Sequence, residues 1–171
     1  MLETIYLVRH AAPDLTTNIP YTLPPGPPLS EIGLREASQT ANWLIGHQIE
    51  QIFSSPFDRT HTTAKAISNA LGKPITLTEA LREGAPYETH SRVRERIAEL
   101  LQQLDDSPFR TIALVTHGIC IQMVLQVTTN NTIDLSNHVY DRDGNHSPTA
   151  GVWRGQRESG RWQWEFVFRP S

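Results

Sequence analysis

Four apolar runs divide the chain: Thr4–Val8, Gln51–Ser54, Pro74–Leu77 and Thr111–Thr116. Each is short and bounded by polar or turn-forming residues, the pattern of a strand buried in a sheet interior. The segments between them carry helical spacing. In "SEIGLREASQTANWLIGH", Leu34, Ala37, Ala41, Leu44 and Ile45 recur three or four residues apart, with Ser30 placed as N-cap. From Asp58 to Leu71 the apolar positions are Ala64, Ile67 and Leu71, and Gly72 followed by Pro74 marks a stop. A third helix is predicted over Ser91 to Leu104, with Val93, Ile97, Leu100, Leu101 and Leu104 on one face. A fourth starts near Gly118 and carries Ile121, Val124 and Leu125.

The pattern changes at the end of the chain. Trp162, Trp164, Phe166 and Phe168 alternate with Gln163, Glu165, Val167 and Arg169, a period of two that belongs to a strand. With "GVWR" before it and "ESG" as the turn, it predicts a C-terminal hairpin. Strands alternating with helices mean a largely parallel sheet. The expected architecture is an α/β three-layer sandwich, its mostly parallel central sheet flanked by helices on both faces. The proline-rich stretch "LPPGPPLS", residues 23–30, is too short for a domain linker, so residues 1–171 read as a single domain.

Composition narrows the function classes. The chain has 171 residues, 38% hydrophobic and 19% charged, with a net charge of −3. That balance speaks against a general nucleic-acid or membrane-surface binder, though not against a local basic pocket. A single cysteine, Cys120, rules out an intrachain disulfide and a multi-cysteine metal site. "MLETIYLV" has no basic leader region, no apolar run approaches a membrane span, and the expectation is a cytoplasmic protein.

The first strand raises a chemical question, because "IYLVRHA" delivers Arg9 and His10 side by side at its end. A buried guanidinium needs an anionic partner. Ligands of such sheets sit at the carboxyl ends of the strands, and three further groups fall there. "SSPFDRTHTTA" follows the second strand and brings Arg59, "LREG" follows the third and brings Glu83, and "VTHG" ends the fourth with His117 beside Gly118. Singly, each is an ordinary surface or turn residue. Jointly, two arginines, two histidines and a helix start describe a site for a phosphoryl dianion, held by forked guanidiniums and N-terminal amides.

These motifs resemble those of the histidine phosphatase superfamily, the phosphoglycerate mutase-like fold. "LVRHA" is similar to its strand-one motif, "LSEIGLREA" to its following helix with Glu36 where Gln is usual, "SSPFDRTHTTA" to its arginine motif with Thr60 in place of alanine, and "VTHG" to its second histidine motif. The likeness runs from the first strand through the fourth. It implies His10 as a nucleophile that becomes phosphorylated, with Arg9 and Arg59 clamping the equatorial oxygens. It implies His117 as a stabiliser of their charge and Glu83 as the general acid. Gly118 and Thr16 complete the implied phosphate contacts, Thr16 or Asn18 standing in because Pro13 occupies a position where the family often has Thr.

The resemblance therefore implies a metal-independent phosphatase of phosphomonoesters, without cofactor, acting on a small phosphorylated substrate or a phosphoprotein. The alternatives are a phosphoprotein or phosphohistidine regulatory phosphatase, a phosphoglycerate-type mutase, and a catalytically silent phospho-ligand binder. A mutase would be expected to carry a longer segment between Glu83 and His117. Four intact site residues speak against a mere binder.

The remaining signals are weaker. None of the seven histidines has H-x-x-x-H or H-E-x-x-H spacing, so no metal site is expected. "DRDGN", residues 141–145, reads as a D-G turn in a loop, 138–146, that could flank the pocket and select substrate. The C-terminal aromatics among Arg154, Arg157 and Arg161 read as one strand face packed on the sheet rather than a stacking platform for nucleic acid. Cys120 reads as a small buried residue.

Overall fold

A computed structural model describes residues 1–171. Its elements in chain order are β1 (Thr4–Arg9), α1 (Glu31–Leu44), β2 (Gln51–Ser54), α2 (Asp58–Leu71), β3 (Ile75–Leu77), a 3₁₀ turn (Glu79–Leu81), α3 (His90–Asp105), β4 (Thr111–Thr116), α4 (Gly118–Thr128), β5 (Val152–Glu158) and β6 (Arg161–Phe168). One six-stranded sheet runs β3-β2-β4-β1-β5-β6. β1 to β4 are mutually parallel, and β5 and β6 add an antiparallel hairpin beside β1.

The two central strands are apolar on both faces because helices cover both. Ile5, Leu7, Ile112 and Leu114 pack on one side with Val93, Ile97 and Leu100 of α3 and Ile121 and Val124 of α4. Tyr6, Val8, Ala113 and Val115 pack on the other with Ala41 and Leu44 of α1 and Ala64 and Ile67 of α2. Truncating a fully buried side chain such as Ile97 to alanine should cost about 2–5 kcal/mol. The caps behave as their chemistry dictates. Ser30 accepts from Gly33 N–H at 3.1 Å at the start of α1. Gly72 ends α2 in the left-handed region at φ 63°.

Two details depart from the sequence pattern. Leu34 and Ile45 are 53% and 55% exposed, because the buried stripe of α1 is Gly33, Ala37, Thr40, Ala41 and Leu44. Leu34 falls on its flank, and Ile45 caps the helix rather than belonging to it. The alternation in β6 also breaks. Phe166 pairs with Trp153 and Phe168 with Val152, so an extra residue, Val167, bulges the strand. Trp162, Trp164 and Phe166 therefore pack with the α3/α4 side, and Phe168 with the α1/α2 side, where it stacks on Trp43 at 5.1 Å. Trp164 lies across Gly155, where a Cβ would meet its ring at 2.7 Å, and donates to Thr128 Oγ1 at 2.8 Å.

The strand order places the site. β1 and β4 are neighbours, yet β1 leads to α1 on one face and β4 to α4 on the other. The chain thus diverges above their carboxyl ends and opens a crevice there.

Candidate active site

Arg9 is the last residue of β1, and His10 follows it into the crevice. The His10 backbone is fixed on both sides: its N–H donates to Thr116 O at 2.9 Å, and its carbonyl accepts from Ala150 N–H at 3.1 Å. The side chain is 1% exposed, and Nδ1 donates to Ala11 O at 2.8 Å. With the ring hydrogen held there, Nε2 keeps its lone pair. Burial, followed by the charges of His117, Arg59 and Arg9, pushes the imidazole well below its usual 6.5. The ring is a neutral base at physiological pH.

Arg59 comes from the first turn of α2 and is fully buried. Its guanidinium is sandwiched, 4.1 Å from the Tyr21 ring centroid and 5.1 Å from that of Phe57. Nη1 donates to Tyr21 O at 3.1 Å, and Nη2 donates to Glu83 Oε2 at 3.0 Å and lies 3.2 Å from His117 Nδ1. Gly26 in the adjoining loop has φ 72°, and a Cβ there would come within 2.5 Å of Arg59 Nη1. The close approach of that loop to the guanidinium requires glycine.

His117 follows β4 as the N-cap of α4, its ring centroid 5.3 Å from that of His10. Its Nε2 lies 2.8 Å from Ser55 Oγ, which also accepts from Phe57 N–H at 3.2 Å. Nδ1 faces both Glu83 Oε2 at 3.4 Å and Arg59 Nη2 at 3.2 Å, so it donates to the carboxylate in one tautomer, with Ser55 donating to Nε2, and accepts from the guanidinium in the other. Burial lowers the His117 pKa to about 4, against the opposing pull of Glu83. Burial alone would raise Glu83, but hydrogen bonding to His117, the His117 charge and the Arg59 guanidinium outweigh it and hold the carboxyl down to about 2. Its other oxygen accepts from Gly84 N–H at 3.0 Å. The loop carrying Glu83 is braced by Glu88, which Arg82 and Arg96 both grip through paired hydrogen bonds.

Arg9 approaches from the other side. Its Nη1 donates to Asp141 Oδ2 at 2.9 Å and to Ser147 O at 2.7 Å. Asp141 also accepts from Asp143 N–H, Asn145 N–H and Asn145 Nδ2, and so organises the whole "DRDGN" turn. That turn closes with Gly144 at φ 78°, in keeping with the D-G reading. Asn145 is packed so tightly on Gly118 that a Cβ there would overlap its Oδ1. Arg9, Tyr21, Glu83, Gly118, Asn145 and His146 are among the residues lining a cavity of about 290 Å³. The Nε atoms of Arg9 and Arg59 are buried without a hydrogen-bond partner.

The structure thus brings Arg9, His10, Arg59, Glu83, His117 and Gly118 to one crevice. It does not bring Thr16 there. Thr16 is exposed, and its N–H and hydroxyl both bond Asp14 Oδ1, at 2.9 and 2.6 Å, in a local turn. Asn18 is likewise exposed. Tyr21 reaches the crevice instead, its hydroxyl 3.5 Å from His10 Nε2. Sequence reasoning missed Tyr21, which no motif marks, and Asp141, whose partner lies 132 positions away. Ser55 lies within the "SSPFDRTHTTA" motif but carries no expected role. Glu36, at the position where Gln is usual, accepts from Ala12 N–H at 2.8 Å and Thr149 Oγ1 at 3.0 Å, tying α1 to the loop after His10. No three His, Cys, Asp or Glu side chains gather as a metal site would require. Cys120 is fully buried with its thiol pushed up by burial, a packed residue as expected. No helix is long and apolar enough to cross a membrane.

Comparison with known proteins follows the same residues. Residues 5–85 match the model of the histidine phosphatase superfamily (branch 1), a match that ends before His117. A protein named "Putative phosphoserine phosphatase 2" from Hydrogenobacter thermophilus is 30% identical over 82 residues, 48% of this chain and 40% of that protein. "Probable phosphoglycerate mutase GpmB" from Yersinia pestis is 35% identical over 79 residues, 46% of this chain and 37% of that protein. The matched stretch thus spans about two fifths of these relatives. In three dimensions the chain is similar to a mycobacterial glucosyl-3-phosphoglycerate phosphatase, with a TM-score of 0.79 over 96% of this chain and 98% of the other, at 20% identity.

Proposed function

Residues 5–85 carry the sequence pattern of the histidine phosphatase superfamily and the whole chain has its fold; from that premise we propose a metal-independent phosphatase of phosphomonoesters that works through a phosphohistidine at His10. The observation that carries the reading is the state of His10. Its Nδ1 is committed to Ala11 O, and its neutral Nε2 lies among Arg9, Arg59 and His117. A nucleophile with a free lone pair beside two guanidiniums is arranged for attack on a phosphoryl dianion.

In the first step Nε2 bonds phosphorus as the ester P–O bond breaks, and Glu83 delivers a proton to the leaving oxygen. In the second, water attacks phosphorus, Glu83 takes the water proton, and the N–P bond breaks to release phosphate and neutral His10. Arg9 and Arg59 offset the charge on the equatorial oxygens, with His117 and the α4 N-terminus at Gly118 adding donors. The guanidiniums supply the positive charge that a metal ion would otherwise bring.

A mutase would have to keep water from the phosphohistidine. Between the Glu83 loop and β4 this chain has only α3, and Tyr21 over the site is 36% exposed, which favours hydrolysis.

The test is chemical trapping. Quenching during turnover should leave an acid-labile, base-stable phosphate on the protein, and His10→Ala should lose both label and activity while folding normally. Label that persists in that variant, or sits on a serine, would refute the reading. Activity lost in EDTA and restored by a divalent ion would refute metal independence. A panel of phosphomonoesters, including phosphoserine and a phosphohistidine peptide, with free phosphate measured for each, would separate a metabolite phosphatase from a phosphoprotein phosphatase.

A further inference from the structure

Tyr21 is held as firmly as the groups around it, yet no motif assigns it a role. Its ring covers the Arg59 guanidinium at 4.1 Å, and its own carbonyl accepts from Arg59 Nη1 at 3.1 Å. These two contacts fix the ring and the backbone of one residue to one cation. The hydroxyl is left over. It lies 3.5 Å from His10 Nε2, the outer limit for a hydrogen bond, and the Arg9 guanidinium also faces it. A structural tyrosine turns its hydroxyl to a carbonyl or to bulk water, whereas this one turns it to the proposed nucleophile. His10 is 1% exposed, so whatever reaches Nε2 must displace the phenol from its present position.

The geometry assigns the Tyr21 hydroxyl as a catalytic donor: when the phosphoryl group arrives, the O–H leaves Nε2 and donates to one of the phosphoryl oxygens. The inference rests on the phosphohistidine reading above. Reacting atoms in a near-attack arrangement lie about 3–3.5 Å apart, so the hydroxyl now stands roughly where the phosphoryl group must come. Rotating aside by a small amount leaves it beside that group, with the ring still on Arg59. Once Nε2 bonds phosphorus it no longer offers a lone pair, and the phenol must find another acceptor. The nearest is a phosphoryl oxygen, whose negative charge makes it a better acceptor than the imidazole was.

The exchange of partners matters for catalysis. A long, weak bond in the free enzyme gives way to a charge-assisted bond during transfer, so the gain falls on the transition state rather than on the ground state. The phenol must keep its proton to serve. Burial raises its pKa from 10.0 against the pull of Arg59 and Arg9, with Glu83 adding to the rise, so the group is a neutral donor throughout the working pH range.

The test uses Tyr21→Phe, which keeps the ring over Arg59 and removes only the hydroxyl, with a thermal melt to show that the fold is unchanged. Loss of one such donor typically costs on the order of 10²-fold in kcat. We expect a fall of that order with p-nitrophenyl phosphate, a much smaller change in KM, and a parallel loss of vanadate affinity measured by binding. Weaker inorganic phosphate binding with unchanged kcat would place the hydroxyl in ground-state binding and overturn the assignment. Unchanged kcat and vanadate affinity would overturn it, and so would a faster variant, which would make the phenol a plug. If the unaltered protein hydrolyses no phosphomonoester, the functional reading fails separately, and the vanadate comparison still decides whether the hydroxyl contacts the anion. A protein that also binds no vanadate refutes both.

Discussion

Arg9 Nη1 and Asp141 Oδ2 are joined at 2.9 Å across 132 positions of sequence, so a site arginine is held by the loop that follows α4. The same Asp141 carboxylate orders the "DRDGN" turn, and Asn145 in that turn seats on Gly118. One carboxylate thus sets both the guanidinium and the wall opposite it. Nη1 is occupied by Asp141 and Ser147 O, while Nε is buried without a hydrogen-bond partner.

Asp141→Ala should therefore lower kcat/KM although Asp141 touches no reacting atom. Hydrogen bonds to charged groups contribute roughly 1.5–3 kcal/mol, so the expected fall is about 10- to 100-fold. Asp141→Asn keeps an acceptor and should lose less. Steady-state kinetics of the two variants decide the matter, and wild-type values for the alanine variant would show that the pair does not set Arg9.

Arg59→Lys tests the clamp. Lysine keeps the charge but cannot donate to Tyr21 O and Glu83 Oε2 together, nor lie flat between two aromatic rings. The expected result is a loss of turnover of at least about 10²-fold, in the range typical of removing an electrostatic stabiliser. Melting should also fall, because Arg59 is fully buried and its contacts cannot be remade by an ammonium. Unchanged turnover would place Arg59 outside the chemistry.

How far the site could be read from sequence follows from how local each cause is. His10, Arg59 and His117 are legible because each sits beside a strand whose apolar run announces it. Tyr21 is not, because nothing in "NIPYTLPP" gives a period or cap that would fix where its hydroxyl points. Thr16 looks eligible by position, but a nearer acceptor, Asp14, takes its hydroxyl. Asp141 is illegible for a different reason: a D-G turn predicts its own shape and says nothing of a distant partner. In the fold, the strands and four helices follow from spacing alone. The bulge at Val167 does not, because Phe168 fits either face until the register of β5 decides.

Acid should destabilise the fold earlier than carboxylate titration alone would bring about. His10 and His117 are buried neutral, with folded pKa values below the usual 6.5, that of His117 at about 4. The unfolded chain then binds more protons than the folded one below 6.5, so stability rises with pH in that window. The contribution is complete above about pH 6.5 and is lost as pH falls towards 4. Each tenfold difference in proton affinity between the folded and unfolded imidazole corresponds to about 1.4 kcal/mol. Denaturant unfolding at pH 7.5 and 4.5 should show a difference of a few kcal/mol, and His117→Gln should reduce it. A flat profile between those values would mean that neither imidazole is buried uncharged.

Glu83→Gln addresses the proton. In the free protein the carboxyl is ionised, its pKa held down to about 2, and one oxygen is engaged by Arg59 Nη2 at 3.0 Å. An ionised carboxylate cannot protonate a leaving group. A phosphoryl dianion arriving at Arg59 and His117 competes for the same cations and sets negative charge beside Glu83, and both effects raise its pKa. The substrate would thus convert a salt-bridge partner into an acid. An alkyl phosphate needs that proton because it leaves as a poor alkoxide, and general acids typically contribute about 10²–10⁴-fold. A nitrophenolate leaves without help. Glu83→Gln should therefore slow hydrolysis of an alkyl phosphate by that range and of p-nitrophenyl phosphate far less. The alkaline limb of the alkyl-phosphate profile, which reports loss of the acid's proton, should vanish with it. Equal and small losses on both substrates would make Glu83 only a brace for Arg59, with the proton coming from another group.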